Sequence, residues 1–127
     1  MDDRIHFVDH RGKQILLIDF SDATAPQMQL LLEHVRNTVA QHARESLLTL
    51  ADFTGAEVDR AVATRIKEVL TLDRPFVKKT AWVGAEHVPH AFLEGFQIFS
   101  RREIATFKTR QEALDWLVGE RKATLTE

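Results

Sequence analysis

The sequence contains no cysteine. This absence excludes disulfide bonds, thiol catalysis and thiolate metal sites, and it fits a reducing compartment. Long apolar runs are also absent. The longest, ILLI from Ile15 to Ile18, is far shorter than the roughly 20 residues that cross a bilayer. The charged stretch MDDRIHFVDH at the N-terminus has no apolar segment typical of a secretory signal. We therefore expect a cytoplasmic protein without a transmembrane segment.

The sequence also lacks a large excess of positive or negative residues. The 17 lysines and arginines face 19 aspartates and glutamates, which gives a formal net charge of -2. Binding to nucleic acid or to an anionic membrane favours clustered basic residues, so neither partner is predicted. A chain of 127 residues, 44% of them apolar, has the size and composition of one globular domain. We predict a single domain over residues 1–120 and a flexible tail over 121–127.

What is present is an alternation of strand-like and helix-like segments, with no apparent internal repeat. Two β-rich runs flank HRGK, where Gly12 predicts a hairpin turn. Apolar residues at helical spacing then alternate with short β-rich runs. The predicted order is ββαβαβαβα, an α/β fold with four helices packed on a mostly parallel, mixed sheet of about five strands. The segments after the hairpin are SDATAPQMQLLLEHVRNTVAQHA, SLLTLADF, EVDRAVATRIKEVL, FVKKTAWVGA, HVPHAFLEGFQIFSR, EIATFK and TRQEALDWLVGE.

The end of the chain carries a family resemblance, in the stretch FKTRQEALDWLVGE. Together with LLTLADFTG and RPFVKKTAWVGAE, it resembles the SpoIIAA-like family of the STAS and CRAL-TRIO-like superfamily, over roughly Phe7 to Gly119. The resemblance implies helices mainly on one side of the sheet and often a homodimer. It implies no established enzymatic chemistry. The residues of the final stretch that match the family pattern are Phe107, Thr109, Glu112, Ala113, Trp116 and Leu117.

The turn after the third strand is a candidate regulatory turn made of Asp52, Thr54, Gly55 and Asp59. In STAS-type anti-sigma-factor antagonists, an acid ends this strand and a phosphorylated serine follows a second acid at the next helix. Asp52 resembles the first acid and Asp59 the second, but the residues after Asp59 are RAV, without a hydroxyl. The chain therefore resembles a relative that lacks the phosphoswitch serine. Thr54 before Gly55 is explained by turn chemistry, and its phosphorylation stays an open alternative.

The segment HVPHAFLEGFQIFSR predicts a helix with an unusually wide apolar surface. Phe92, Phe96 and Phe99 share one face, while Leu93 and Ile98 fall outside it. One side of such a helix packs on the sheet, which leaves the other for a partner or a ligand. Two interpretations follow. This helix is a homodimer or partner-protein interface, or it lines a pocket for a small apolar or lipid-like molecule.

Other candidate sites are weaker. Arg101 and Arg102 form a candidate anion site at a predicted helix end, where the helix dipole alone explains two cations. His87, His90 and Glu94 lack the ligand count of a zinc site, so no metal or other cofactor is predicted. The G-x-S-x-G, P-loop and G-x-G-x-x-G motifs are absent, and no catalytic residue is predicted. We expect a non-enzymatic regulatory or interaction module that is homodimeric. The alternative is a carrier or sensor of an apolar ligand.

Overall fold

A computed structural model describes residues 3–100 and 104–119, apart from the side chains of residues 87, 99 and 100. The order of strands and helices is ββαβαβαβα, as predicted. None of the described helices is long and apolar enough to span a membrane. The elements are β1 Ile5–His10, β2 Lys13–Asp19, α1 Ala25–Val39, β3 Leu47–Asp52, α2 Arg60–Asp73, β4 Val77–Val83, α3 His90–Ser100, β5 Ile104–Phe107 and α4 Arg110–Leu117, with a short 3-10 turn at Ala85–His87.

The five strands form one sheet in the order β1-β2-β3-β4-β5. β1 is antiparallel to β2, and the other three pairings are parallel. The β1–β2 hairpin turns through Arg11 at φ 53 and Gly12 at φ 85, the left-handed pair that two-residue hairpins favour. Because β2 to β5 are parallel, they all end at one edge of the sheet, which we call the carboxyl edge. The last residues of these strands are Asp19, Asp52, Val83 and Phe107.

The helices divide unequally between the two faces of the sheet. Helices α1, α2 and α3 cover one face, the three-helix face, where Leu16 and Ile18 point into the larger core. Helix α4 covers the other, the α4 face, where Ile15 and Leu17 point into a smaller core. Right-handed crossovers between sequential parallel strands place successive helices on the same face. Burial on both faces explains why ILLI in β2 is continuously apolar.

Local sequence signals begin the helices at the carboxyl edge. Thr24 and Gln27 form a reciprocal capping box on α1, in which Gln27 N donates to Thr24 Oγ1 at 3.3 Å and Thr24 N donates to Gln27 Oε1 at 2.9 Å. Asp59 caps α2 by accepting from Val62 N at 2.8 Å. Such caps satisfy N–H groups that a first helical turn leaves free. The helix starts are therefore encoded locally.

The outer edge of β5 is hydrogen-bonded to a side chain at the first residue of the strand, Ile104. The side-chain amide of Gln97 in α3 accepts from Ile104 N and donates to Ile104 O, both at 3.0 Å. These are the two bonds that a neighbouring strand would make with that residue. Gln97 therefore takes the place of a sixth strand at this point.

Candidate functional site

Two similar turns stand side by side at the carboxyl edge. β2 runs into Asp19–Ser21, with the sequence DFS, and β3 runs into Asp52–Thr54, with the sequence DFT; Asp19 and Asp52 are paired in register. Asp19 Oδ1 accepts from Ser21 N at 2.9 Å and from Ser21 Oγ at 2.6 Å. Asp52 Oδ1 accepts from Thr54 N at 3.0 Å and from Thr54 Oγ1 at 2.7 Å. Each aspartate thus closes its own turn.

Arg110, the first residue of α4, joins the two turns. Its Nε donates to Asp52 Oδ2 at 2.8 Å, and its Nη2 lies 3.2 Å from Asp19 Oδ1. Desolvation by burial works against the charge of Arg110, but the hydrogen bond and charge of Asp52, with those of Asp19, raise its pKa overall. The planar guanidinium suits this bridge because its donors point in fixed directions. Arg110 therefore couples two strands to the helix on the α4 face.

Asp19 has a second arginine nearby. Arg4 Nη1 donates to the backbone oxygens of Asp19 at 2.9 Å and Ser21 at 3.0 Å. Partial burial tends to raise the pKa of Asp19, but the hydrogen bonds from Ser21 and the charges of Arg110 and Arg4 lower it. This carboxylate is consequently held in its charged form by its own neighbours.

Close backbone approaches bring the strand-end turns together. Gly84, after β4, has φ +70, and a Cβ built on it would lie 2.2 Å from Thr54 Oγ1. Gly55 has φ +72, and its Cβ would lie 2.2 Å from Asp22 Oδ1. Asp22 N also donates to Thr54 O at 2.8 Å. A side chain at either glycine would therefore push adjacent turns apart.

The four residues of the candidate regulatory turn have different positions. Asp52 is buried beneath Arg110, whereas Thr54 and Gly55 are exposed in the turn that follows it. Asp59, which resembles the acid of the phosphoswitch motif, is the N-cap of α2. The structure therefore brings Asp52, Thr54 and Gly55 together, while the carboxylate of Asp59 satisfies the start of a helix.

The Phe-rich helix α3 contributes to the core and to the surface. Phe96 is 1% exposed and packs edge-on against Trp82, with ring centroids 5.5 Å apart. Phe92 and Leu93 are partly buried against the same core. Ile98 is 72% exposed. Phe96 therefore packs into the core, while Ile98 lies on the outward surface of the helix.

The side chain of Phe99, and Arg101 and Arg102 entirely, lie outside the described residues. His90 and Glu94 form an exposed ion pair with 3.3 Å between Nε2 and Oε2. Within residues 3–100 and 104–119, no group of three or more histidines and acids is arranged to hold a metal ion.

A cavity of about 70 Å³ lies elsewhere, between α1, α2 and strands β2 to β4, and we call it the α1–α2 cavity. No residue of α3 is among those described as lining it. Leu93 instead lines an open surface groove with Ala85 and Phe107. This cavity lies under α1 and α2, and the apolar pocket predicted at the Phe-rich helix stays a prediction. Among the residues that line it are Leu32, Val35, Ala51, Ile66, Val69 and Trp82.

Sequence reasoning missed Asp19, Ser21, Arg4 and Arg110 as parts of one cluster. The signal for the first two is the short repeat of DFS and DFT at consecutive strand ends. No local pattern identifies Arg110, because it lies 58 residues from Asp52 and contacts it only after α4 has folded onto the sheet.

Comparisons with known proteins agree on the fold. Neither a family model nor a curated protein matches the sequence. An uncharacterized protein of the DUF3478 family with a SpoIIAA-like fold, from Shewanella loihica, is similar in structure with a TM-score of 0.68 and 16% identity, covering 89% of this chain and 91% of that chain. An anti-sigma-factor antagonist (STAS) domain protein from Planctomyces limnophilus has a TM-score of 0.56 and 14% identity, covering 90% and 97%. The chain therefore has a SpoIIAA-like fold, as the sequence resemblance implies.

Proposed function

We propose that the protein is a non-enzymatic regulatory or protein-interaction module of the STAS-like type, homodimeric and cytoplasmic. The similarity of its fold to an anti-sigma-factor antagonist (STAS) domain protein supports this role. The observation that carries the proposal is the state of the carboxyl edge. Open α/β sheets usually bind ligands at this edge, but here its acids, hydroxyls and arginines are bonded to one another.

This bonding favours recognition over chemistry. A general acid or base must exchange a proton with a substrate that it contacts. Asp52 is buried, with one carboxylate oxygen held by Thr54 and the other by Arg110. Such an arrangement keeps the edge rigid and gives a partner protein a fixed surface.

The homodimer is proposed to form through the outer side of α3. Ile98 projects into solvent, with Phe92 and Leu93 partly exposed on the same helix. Phe96 and Trp82 anchor the helix from beneath. An exposed apolar residue on a firmly packed helix suits a two-fold interface, in which the same patch of both copies meets.

The matched variants Ile98→Asp and Leu30→Asp test the homodimer. Ile98 is 72% exposed on α3 and Leu30 is 71% exposed on α1, so both changes place a charge at an equally accessible position. We expect a dimer for the wild type and for Leu30→Asp in sedimentation equilibrium. We expect a monomer for Ile98→Asp, because a buried unpaired carboxylate opposes association. A monomeric wild type, or an Ile98→Asp variant that dimerises normally, contradicts the proposal.

A further inference from the structure

The α1–α2 cavity is larger than ordinary packing leaves. Protein interiors contain few voids larger than one water molecule, and one water needs roughly 10–15 Å³. The cavity of about 70 Å³ is several times that size. It lies under two helices whose apolar side chains are otherwise buried, among them Leu32, Val35 and Ile66. Loose packing near the surface therefore does not explain this void.

The two ends of the cavity differ in polarity. Towards the carboxyl edge its wall is aromatic, where Phe53 stacks with Phe20 at 5.0 Å and with Trp82 at 4.5 Å between ring centroids. Further from that edge it is lined by Thr49 and Thr80. Asp73 and Arg74, at the end of α2, also line the cavity. An occupant would therefore meet apolar rings at one end and hydrogen-bonding groups at the other.

The polar end has hydrogen-bonding capacity to spare. Thr49 Oγ1 donates to Thr80 Oγ1 at 2.7 Å, and both side chains are buried. Two hydroxyls that share one hydrogen bond keep one O–H hydrogen in reserve. Asp73 is 8% exposed and lines the same end of the cavity. Buried polar groups normally have a partner, so this hydroxyl pair can accommodate a further hydrogen-bonding group.

The charges around the polar end disfavour a charged occupant. Arg74 and Asp73 both line the cavity and Arg36 is close enough to act on Asp73, so charges of opposite sign lie at this end and a cation gains no net attraction from them. The carboxyl end of α2, which carries the negative end of the helix dipole, disfavours an anion. Removing any full charge from water adds a further penalty.

We propose that the α1–α2 cavity binds a small uncharged amphiphile. Its apolar body contacts Phe53 and Trp82, and its hydroxyl or amide group bonds to Thr80 and Asp73. An engineered cavity of about 150 Å³ holds benzene, so a cavity of about half that volume holds roughly three or four heavy atoms. The inference goes beyond the proposed interaction role, because this cavity and the outer side of α3 share no described residue.

Three probes of four heavy atoms each test the proposal: 1-propanol, acetate and propylammonium. Binding is followed in proton–nitrogen correlation spectra through the Trp82 indole and the Thr80 amide, with the Trp116 indole on the opposite face as reference. We expect saturable shifts at Trp82 and Thr80 for 1-propanol, with Kd of about 0.1–10 mM for so small a ligand. The two charged probes should bind at least about tenfold more weakly.

Three variants sharpen the test. Ala51→Val adds methyl groups to the cavity wall and should abolish the 1-propanol shifts. Thr80→Val removes the hydroxyl at nearly constant volume and should weaken binding about fivefold or more. Thr106→Val makes the same change at an exposed position of β5 and should leave binding unchanged.

Several results overturn the proposal. The first two are 1-propanol shifts that do not saturate and 1-propanol shifts at Trp116 as large as those at Trp82. The others are equal affinity for all three probes and unchanged 1-propanol binding by a folded Ala51→Val protein. Water-only occupancy, seen as water–Thr80 cross-relaxation that 1-propanol does not displace, also overturns it. If a variant fails to fold, the comparison of the three probes on the wild type still decides. The oligomeric state tested with Ile98→Asp is a separate readout, so failure of one proposal leaves the other standing.

Discussion

The two faces of the sheet hold their helices in different ways. On the three-helix face, α1 and α2 bury apolar stripes in one large cluster, to which α3 adds Phe96. On the α4 face, a helix of eight residues buries only Ala113 and Leu117 fully. Short helices are marginal by themselves, and α4 is held by polar contacts near both ends. Arg110 bonds to the strand-end aspartates, and Lys79 Nζ donates to Trp116 O at 3.0 Å.

The two faces therefore differ in how strictly they fix the positions of their helices. Apolar burial is non-directional, so the three-helix face can stay stable around a cavity of about 70 Å³. Charge-assisted hydrogen bonds depend on geometry, so the α4 face fixes the position of one helix relative to two strand ends. The proposed ligand cavity therefore lies on the three-helix face, and the bridge from Arg110 to Asp19 and Asp52 holds the α4 face.

The largest expected effect is on the three-helix face. Phe53 is buried and contacts two aromatic rings, so Phe53→Ala should lower the free energy of unfolding by about 3–5 kcal/mol. Leu117→Ala, on the α4 face, should lower it by about 2–3 kcal/mol, because α4 is also retained by its polar contacts. Urea denaturation measures both values. If Leu117→Ala lowered the free energy of unfolding more than Phe53→Ala, the proposed difference between the two faces would be wrong.

Asp73 should give the three-helix face a distinctive pH dependence. Burial raises its pKa from 3.8 to about 7, although the charge of Arg36 opposes the rise. The folded pKa lies above the unfolded value, so the stability contributed is complete below the unfolded pKa and is lost as pH rises through about 7. Between about pH 4 and pH 8, the wild type should lose up to roughly 4 kcal/mol relative to Asp73→Asn.

Parallel pH profiles of wild type and Asp73→Asn, from urea denaturation, would contradict this expectation. Asp19 on the α4 face is the opposite control. Partial burial acts to raise its pKa, but Ser21 and Arg110 lower it overall. Its contribution is therefore present above the unfolded pKa of 3.8 and is lost as pH falls through the folded value. Asp19→Asn should change stability at neutral pH and not at strongly acidic pH.

Substitution of Arg110 should have the next largest effect on stability. Arg110→Met keeps much of the side-chain volume but leaves the buried carboxylate of Asp52 without its cation, and should lower the free energy of unfolding by about 1–3 kcal/mol. Arg110→Lys should recover less than half of this loss, because an ammonium group does not bridge Asp19 and Asp52 as a guanidinium does. In Arg110→Met, amide hydrogen exchange should accelerate more in α4 than in the strands of the sheet. Uniform acceleration across the sheet would argue against a local clamp.

The smallest expected effect is at the other end of α4. Lys79 Nζ lies 4.2 Å from the centroid of the Trp116 ring and bonds to Trp116 O. Lys79→Met keeps the apolar stem and removes both interactions, so stability should fall by about 0.5–1 kcal/mol. Trp116 fluorescence should change while the Trp82 indole signal does not. Lys78→Met, the same change at the adjacent exposed position, serves as the control.

Features encoded by neighbouring residues could be predicted from the sequence. The Gly12 turn, the apolar stripe of α1 and the Thr109 cap on α4 each depend on a few consecutive residues. The order of elements follows from such local signals. The general layering of helices on the sheet followed from the alternation of elements and from the family resemblance.

Features that depend on distant residues could not be predicted. The bridge from Arg110 to Asp19 and Asp52 requires the relative placement of α4 and two strands. The inward direction of Phe96 depends on Trp82, which lies on another element. The cavity depends on the small difference between the volume enclosed by two helices and a sheet and the volume of the side chains that fill it.

The amide of Gln97 has a consequence for assembly. An unprotected border of a sheet offers donors and acceptors to which another chain can add a strand, and such addition can repeat without limit. Gln97 already occupies both groups of Ile104. At Ile104, therefore, both backbone groups that an added strand would need are already bonded within the chain.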